Sequence, residues 1–371
     1  MAKVIGYVNL HSDVSLKGLT ERRPLASVSF LGRYGIIDLV LSNFSNSNID
    51  NVGVLIKEKP RSLFKHMANG NAWNFNSKNG GVQLLYDEKY AGNGMYNNDI
   101  NNIIENIAFF ETNKPDYVVV APAHIINTMD FSELVEAHAA SGNAVTIATQ
   151  KVKNADEKWI GCDYVKLDSD TKLVTQLETN MGNAKNRMIS LETYVFSAKA
   201  FATFLKNAEK VSPFYSIRDM LAYSLDERRI GIYEYKGYVR CINNYQAYFD
   251  VCLEFLNYEV STQVFHTNWP IFTNTNDTPP TKYKEHASVR DSMIANGAVV
   301  NGTVEHSIIG RDVIVGEGAV IKNSIIFSGS VIDPGSVLEN VIMDKHARVK
   351  NMKNLKGEVK EPLFIKEGDV V

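Results

Sequence analysis

Residues 308–338 read IIGRDVIVGEGAVIKNSIIFSGSVIDPGSVL, and an apolar residue recurs in this stretch every six positions. The recurring residues are Ile308, Ile314, Val320, Ile326, Ile332 and Leu338, and a second apolar series runs one position ahead, at Val313, Ala319, Ile325, Val331 and Val337. Turn-forming residues fill most of the gaps, at Gly310, Gly316, Ser328, Pro334 and Asn340. This period is typical of a parallel β-helix, whose coils consist of three short strands. An α-helix would need a period of 3.6, so the remaining alternative is an antiparallel sheet.

The chain before this repeat has a different pattern, in which strand-like and helix-like segments alternate. Strands are predicted at 4–10, 51–56, 117–121, 145–150 and 164–167, and helices at 36–44, 99–111, 132–140 and 245–256. Ser132 is the predicted cap of its helix. Repeated β-α-β units imply a mainly parallel sheet with helices on both faces.

Two domains joined by a linker are therefore expected. We place an α/β domain at 1–255, a linker at 256–285 and the β-helix at 286–371. The polar sequence NTNDTPP at 274–280 ends in two prolines and reads as irregular structure.

Composition excludes several classes of function. A net charge of −3 gives no reason to expect nucleic acid or an anionic membrane as a partner. No apolar run approaches the roughly 20 residues of a transmembrane helix, and the N-terminus lacks a long apolar signal segment. Cys162, Cys241 and Cys252 are widely spaced without a CxxC motif. They indicate reduced thiols in a cytoplasmic protein rather than disulfides or a zinc site.

The segment 33–43, RYGIIDLVLSN, narrows the range of possible functions. It closely resembles the KYRIIDFALSN stretch of the bacterial glucose-1-phosphate adenylyltransferases, also called ADP-glucose pyrophosphorylases. Residues 268–271, NWPI, and 279–283, PPTKY, resemble the interdomain segment of that family. The resemblance implies a Rossmann-like, GT-A-like nucleotidyltransferase domain followed by a left-handed parallel β-helix.

The resemblance also implies a reaction, in which ATP and glucose 1-phosphate give ADP-glucose and pyrophosphate. That chemistry needs backbone amides around the nucleotide phosphates. It needs Mg²⁺ on carboxylates to offset phosphoryl charge, and cations that position the anionic reactants.

The phosphate-binding parts of the family pattern are altered here. The family's glycine-rich loop, GGRGTRL, corresponds to 9–16, NLHSDVSL, which has no glycine or arginine. Asp13 adds a negative charge where phosphates would lie. A family lysine thought to contact the transferred phosphates aligns with Leu25. The family's GTADAV loop aligns with 97–102, again without glycine.

The metal-binding parts are altered as well. The family aspartate of LAGDHIY, a Mg²⁺ ligand, aligns with Ala123, and that of WRDVGT aligns with Cys241. The sugar-phosphate lysine of VEKP aligns with Thr179, whereas Glu178 and Ser190 still match. Cysteine is a poor ligand for Mg²⁺. We therefore expect no catalytic residues, no bound metal and no cofactor.

The resemblance then implies a regulatory, non-catalytic subunit of the GlgD type. Its expected partner is a catalytic ADP-glucose pyrophosphorylase subunit, in a heterotetramer, with self-association as a further expectation. Arg22, Arg23 and Arg33 lie where the family has basic residues that bind phosphorylated sugar effectors. Several cations together can hold a phosphate through charge-assisted hydrogen bonds, although a solvated basic loop is the plainer interpretation.

Other interpretations remain open. The chain could retain weak adenylyltransferase activity, with metal held by Asp99 or Asp163. It could instead be a free-standing sensor of sugar phosphates or nucleotide sugars. His306 in the repeat raises the possibility of a hexapeptide acyltransferase, against which the long α/β domain argues. His124, beside the lost aspartate, is interpreted as a packing residue.

Overall fold

The computed structural model describes residues 2–67, 70–76, 80–90 and 92–371. The described chain divides into two compact units that interleave along the sequence. The first unit comprises Met1–Asp13, Ile37–Asn243 and Trp269–Phe272, and the second comprises Val14–Ile36, Asn244–Asn268 and Thr273–Val371. The predicted boundaries, at 255 and 286, therefore differ from the observed ones.

The first unit is built on a mixed sheet, nine-stranded within the described residues. Its strands are Val4–Asn9, Asn51–Ile56, Gly81–Tyr86, Tyr117–Pro122, Val145–Val152, Asp163–Leu167, Val174–Thr179, Arg187–Ser197 and Ile230–Glu234. Four neighbours, Gly81–Tyr86, Asn51–Ile56, Val4–Asn9 and Tyr117–Pro122, are parallel, as predicted. Arg187–Ser197 runs antiparallel to the strands beside it. This reversal leaves no trace in the hydrophobic pattern, since strands of either direction can be buried on both faces.

The helices of the first unit are Ile37–Asn46, Arg61–Met67, Asp99–Glu105, Ile107–Asn113, Phe131–Ser141, Ala198–Val211 and Ile217–Tyr223. The predicted helix 99–111 is interrupted at Asn106, whose side chain bonds the backbone of Asn102 instead of facing solvent. The prediction that Ser132 caps its helix is wrong. Asp130 is the N-cap of the helix Phe131–Ser141, and its side chain accepts a hydrogen bond from the Ser132 amide. Side chains at such positions compete with the backbone for hydrogen bonds.

Two of the motifs that carry the family resemblance meet in the first unit. The indole of Trp269 donates to Asn43 Oδ1 at 2.9 Å, and the Phe272 amide donates to Ser42 Oγ at 2.8 Å. The predicted interdomain motif thus packs on the helix Ile37–Asn46. Val239–Cys241 pairs antiparallel with Ile125–Asn127 in a separate two-stranded sheet of this unit.

The second unit contains the predicted left-handed β-helix, and the fold class is confirmed. Three parallel sheets, each five-stranded, stack within 282–365, all of which the structure describes. Their strands are Lys282–Tyr283, Val299–Val300, Ile314–Val315, Val331–Ile332 and Arg348–Val349; Ser288–Arg290, Thr303–Glu305, Val320–Lys322, Val337–Glu339 and Asn354–Lys356; and Met293–Ile294, Ile308–Ile309, Ile325–Ile326, Val341–Met343 and Leu363–Ile365.

The coils are shorter than three hexads. Ile308 pairs with Ile325 and Ile314 with Val331, so the coil repeat here is 17 residues and not 18. A residue series spaced strictly by six therefore drifts out of the core, and Ile314 is 46% exposed while its neighbours Val313 and Val315 are buried.

One turn in each coil accounts for the missing residue. It consists of a single left-handed residue, and these residues follow one another at Asp291, His306, Asn323 and Asn340. A serine ladder runs beside them, in which the amides of Ser307 and Ser324 donate to the hydroxyls of Ser292 and Ser307. His306 is thus part of a structural stack, which gives the acyltransferase interpretation no support.

The segment before the first helix belongs to the second unit. Ser29–Phe30 and Tyr34–Gly35 form a short hairpin. It packs on the helix Tyr245–Glu254, where Tyr248 Oη donates to the Ser29 carbonyl at 2.5 Å. The predicted linker 256–285 is irregular only in part, since it contains the helix Tyr258–Val264 and the first β-helix strand. Within the described ranges, no helix is long and apolar enough to span a bilayer.

Candidate functional site

The carboxyl ends of the parallel strands in the first unit form the candidate site. The strands Val4–Asn9, Asn51–Ile56 and Tyr117–Pro122 end side by side. In open α/β sheets, ligands bind at this edge. The candidate site therefore consists of the residues that follow these strands.

The loop that replaces the glycine-rich stretch is held by its own side chains. Its His11 amide donates to Asn9 Oδ1 at 3.0 Å, and His11 Nε2 lies 3.1 Å from the side-chain nitrogen of Asn102. Burial and the Lys57 charge lower the pKa of His11 to about 3, so the imidazole is neutral at pH 7. Asp13 forms an ion pair with Lys57. Lys57, a cation that contacts this loop, is thus paired with a carboxylate.

The two predicted metal positions carry buried side chains without oxygen. Ala123 is buried directly after the strand Tyr117–Pro122. Cys241 ends the strand Val239–Cys241, opposite Ile125. The thiols of Cys241 and Cys162 share a hydrogen bond with their sulfurs 3.2 Å apart. That bond and burial raise the pKa of the Cys241 thiol well above its ordinary value, which disfavours the thiolate.

The carboxylates that could replace these ligands are already engaged. Asp99 is buried and accepts from Asn9 Nδ2 at 2.7 Å and from the amides of Ile100 and Ile217 at 2.8 and 2.9 Å. Asp163 receives both Nε and Nη2 of Arg218, at 2.8 and 3.1 Å. No group of three or more His, Cys, Asp or Glu side chains in the described ranges is arranged to hold a metal. The Mg²⁺ of the family does not fit these residues.

The remaining sugar-pocket positions bond to local partners. The Thr179 hydroxyl donates to Asp163 Oδ1 at 3.0 Å. Glu178 accepts from the Tyr164 hydroxyl at 2.6 Å on an exposed part of its strand, whereas Ser190 is buried and accepts from the Glu192 amide at 3.2 Å. Each of these side chains therefore has a structural partner within the first unit.

Glu192 and Arg218 belong to the site although sequence reasoning missed both. Glu192 has a φ of +49°, an unfavourable conformation for a residue with a Cβ. Its carboxylate lies 3.3 Å from His124 Nε2. Burial opposes ionisation, but the interactions with His124 and Arg218 outweigh it and lower the pKa of Glu192. The strained backbone thus places this carboxylate beside His124.

Tyr194 lies among the ionisable side chains of the candidate site. Burial raises the pKa of Tyr194 well above its ordinary value, and Glu192, Asp163 and Asp99 raise it further, opposed by Arg218. Two of these carboxylates have a basic partner, since Glu192 contacts His124 and Asp163 pairs with Arg218.

The three candidate effector residues lie in the second unit and differ from one another. Arg22 and Arg33 are exposed, and the Arg33 guanidinium lies 5.8 Å from the Tyr34 ring centroid. Arg23 is buried and bonds Asp344 at 2.6 Å and Glu367 at 3.0 Å. A cavity of about 90 Å³ beside it is lined by Glu21, Arg22, Arg23, Asp344, Lys366 and Glu367, with Gly18 and Asp369. The Arg23 charge is neutralised by carboxylates, so an effector hypothesis depends mainly on Arg22 and Arg33.

Family models match both the α/β part and the β-helix part of the chain. The nucleotidyl transferase family model matches residues 15–239, and the model described as GlmU-like, C-terminal hexapeptide, matches residues 279–359. The protein from Clostridioides difficile (strain 630) named glucose-1-phosphate adenylyltransferase is 33% identical over 309 residues, which cover 81% of this chain and 79% of the relative.

Two further relatives carry the same name. The protein from Fusobacterium nucleatum subsp. nucleatum is 30% identical and covers 82% of this chain and 80% of its own length. That from Fervidobacterium nodosum is 29% identical and covers 95% of this chain and 85% of its own length. The fold, the motifs at 33–43 and 268–271 and these sequence similarities agree. The chain belongs to the glucose-1-phosphate adenylyltransferase family of nucleotidyl transferases.

Proposed function

We propose that this chain is a regulatory, catalytically degenerate subunit of an ADP-glucose pyrophosphorylase, of the GlgD type, in bacterial glycogen synthesis. The observation that carries the proposal is the pair of side chains at the predicted metal positions, the methyl group of Ala123 and the thiol of Cys241, both buried. Mg²⁺ takes oxygen ligands almost exclusively. Neither residue supplies one.

The engaged state of the neighbouring carboxylates supports the same proposal. Asp99 already accepts three hydrogen bonds and Asp163 is held by the Arg218 guanidinium, so a metal would compete with these partners for both carboxylates. Bidentate guanidinium–carboxylate pairs are among the strong polar contacts in proteins. A weakly active enzyme with metal on these residues is therefore disfavoured.

The proposed role needs a partner rather than a substrate. A subunit that binds the active conformation of a catalytic homologue more tightly than the inactive one raises its activity through the interface. We propose a hetero-oligomer, a heterotetramer by family expectation, with self-association as a second state. The exposed Arg22 and Arg33 are the proposed contacts for a phosphorylated sugar effector.

The inactive part of the proposal is tested on the purified chain alone. We expect no pyrophosphate release from ATP, glucose 1-phosphate and Mg²⁺ above the rate without protein. Mn²⁺ titration followed by electron paramagnetic resonance should show no tight site in the wild type. A double variant, Ala123→Asp with Cys241→Asp, should gain one if these positions are the degenerate metal site.

Asp163→Asn serves as the control for the alternative that the chain is a weakly active enzyme with its metal held by Asp163. If the wild type turns over and this variant does not, the metal is held by Asp163 and the proposal is wrong. Robust turnover in both would likewise contradict it.

A further inference from the structure

The thiols of Cys162 and Cys241 are in direct contact inside the first unit. Their sulfurs are 3.2 Å apart, although the residues are 79 positions apart in sequence. Both are buried, at 3% and 5% exposure. We propose that these two cysteines are a modification site, at which an intrachain disulfide forms and is reduced again.

The backbone on both sides of the pair is anchored. Cys241 belongs to a strand paired with Ile125–Asn127. The Cys162 amide donates to the Trp159 carbonyl at 3.2 Å, and its carbonyl accepts from the Asn180 amide at 2.8 Å. A disulfide needs a sulfur–sulfur distance of about 2.05 Å, so the gap to close is on the order of 1 Å. Anchored partners at this distance react with a high effective concentration.

Cys252 provides a matched comparison within the same chain. It is fully buried on the helix Tyr245–Glu254 of the second unit. Burial raises the pKa of its thiol to about 12, and its side chain bonds Tyr248. The pair and this third thiol therefore share burial and differ in whether a second sulfur lies alongside.

The reaction balances with a peroxide as the oxidant. One thiolate attacks a peroxide oxygen, the O–O bond breaks, and a sulfenic acid forms with release of one water. The second sulfur attacks the sulfenic sulfur, forming the S–S bond and expelling a second water after proton transfer. Two S–H bonds are lost in total, and the two electrons reduce hydrogen peroxide to water. A dithiol reverses the step by thiol–disulfide exchange.

The bond would tie together two walls of the candidate site. Cys162 immediately precedes Asp163, which holds the Arg218 guanidinium, and Cys241 stands at a predicted metal position. Oxidation would therefore fix the distance between the start of the strand Asp163–Leu167 and the end of the strand Val239–Cys241. The inference does not depend on the proposed function, because it concerns the thiols of the isolated chain.

The test uses the reduced full-length chain and hydrogen peroxide. Free thiols are counted by maleimide mass tagging after quenching, and the linked peptides are identified by mass spectrometry. We expect loss of two of the three thiols without dimer formation, with Cys162 linked to Cys241, and full recovery with dithiothreitol. Cys252→Ser should form the same link, whereas Cys162→Ala and Cys241→Ala should keep both remaining thiols.

The equilibrium constant decides whether the fold favours the bond. In a dithiothreitol redox buffer, the folded wild type should form the disulfide at least tenfold more favourably than in urea, a difference of about 30 mV. This comparison uses wild-type protein and so does not depend on the variants folding. A link to Cys252, oxidation of single cysteines only, or an equilibrium equal to that in urea would overturn the proposal.

Discussion

Asp99 is a buried carboxylate that joins three segments of the first unit. It accepts hydrogen bonds from the side chain of Asn9 and from the amides of Ile100 and Ile217. Burial nevertheless raises its pKa to about 6 from an ordinary value of 3.8, against the effect of these hydrogen bonds. The folded chain therefore holds a proton at Asp99 that the unfolded chain releases between these pH values.

Asp99 should make the first unit less stable as pH rises from 4 to 7. The folded pKa is the higher one, so its contribution is fully present below about pH 4 and is lost through pH 6. The shift corresponds to about 3 kcal/mol. Urea denaturation at several pH values should show this dependence in the wild type, and Asp99→Asn should flatten it by about that amount.

Asp168 is the control of opposite sign, because hydrogen bonds from Thr171 lower the pKa of its exposed carboxyl. Asp168→Asn should leave the fall in stability between pH 4 and 7 in place. An identical pH profile for wild type and Asp99→Asn would show that Asp99 does not carry the raised pKa.

The residues of the candidate site were only partly predictable. Ala123, Cys241 and Thr179 can be singled out from sequence because each aligns with a charged residue of the family that it does not match. Glu192 and Arg218 were missed, since neither lies in a motif and their roles come from partners far away in sequence. The left-handed backbone of Glu192 cannot be read from a strand-like sequence such as 187–197.

The period of the apolar residues predicts the β-helix, but it does not predict which residues of each coil point inward. The six-residue spacing identified the fold correctly. The one-residue turns at His306, Asn323 and Asn340 shorten the coil, so the inward positions follow 5-6-6 spacing, as at Ile321, Ile326, Ile332 and Leu338. The hexad pattern does not show this shorter spacing. Each hexad has apolar residues at adjacent positions, so a shift of one residue still places an apolar side chain in the core.

Asn323 tests the role of these turns. Its φ is +45°, and its side chain bonds Asn340 Oδ1. A residue with a Cβ loses about 1–2 kcal/mol in this conformation, and asparagine tolerates it better than most. Asn323→Ala should therefore lower the free energy of unfolding of the chain by about 1–2 kcal/mol, measured by urea denaturation.

Asn323→Gly is the matched variant, since glycine adopts positive φ without steric cost. It should destabilise less than alanine does. Equal effects of the two substitutions would mean that backbone conformation does not determine the preference at this turn.

Arg23 links the segment Val14–Ile36 to the last coils of the β-helix inside the second unit. Its side chain and that of Asp344 are 6% and 2% exposed. Burial raises the pKa of Asp344 even though Arg23 opposes the shift. Arg23→Ala should cost about 3–5 kcal/mol, because it leaves a buried carboxylate without its partner. Thermal or urea unfolding measures the loss.

The neighbouring Arg22 is exposed and provides the control. Arg22→Ala should change stability by less than about 0.5 kcal/mol. The double variant Arg23→Met with Asp344→Leu should recover much of the lost stability. A fully stable Arg23→Ala would show that this ion pair is not structural and would return Arg23 to the effector hypothesis.

At the scale of the whole molecule, the fold class and the order of its two parts were predictable, and their boundaries were not. Local periodicity separates an α/β pattern from a hexad pattern. The assignment of residues 14–36 and 244–268 to the second unit depends on contacts such as Phe30 with Phe255, whose ring centroids lie 5.5 Å apart. Pairings between residues this distant leave no periodic signal in the sequence.

We propose that this family member acts through a partner and not through its own active site. The most direct measurement is the initial rate of pyrophosphate release by a catalytic subunit from the same organism, with and without equimolar amounts of this chain. We expect the chain alone to be silent and the mixture to show a higher rate or a lower substrate requirement than the catalytic subunit alone. An unchanged rate in the mixture, or turnover by this chain alone, would contradict the account.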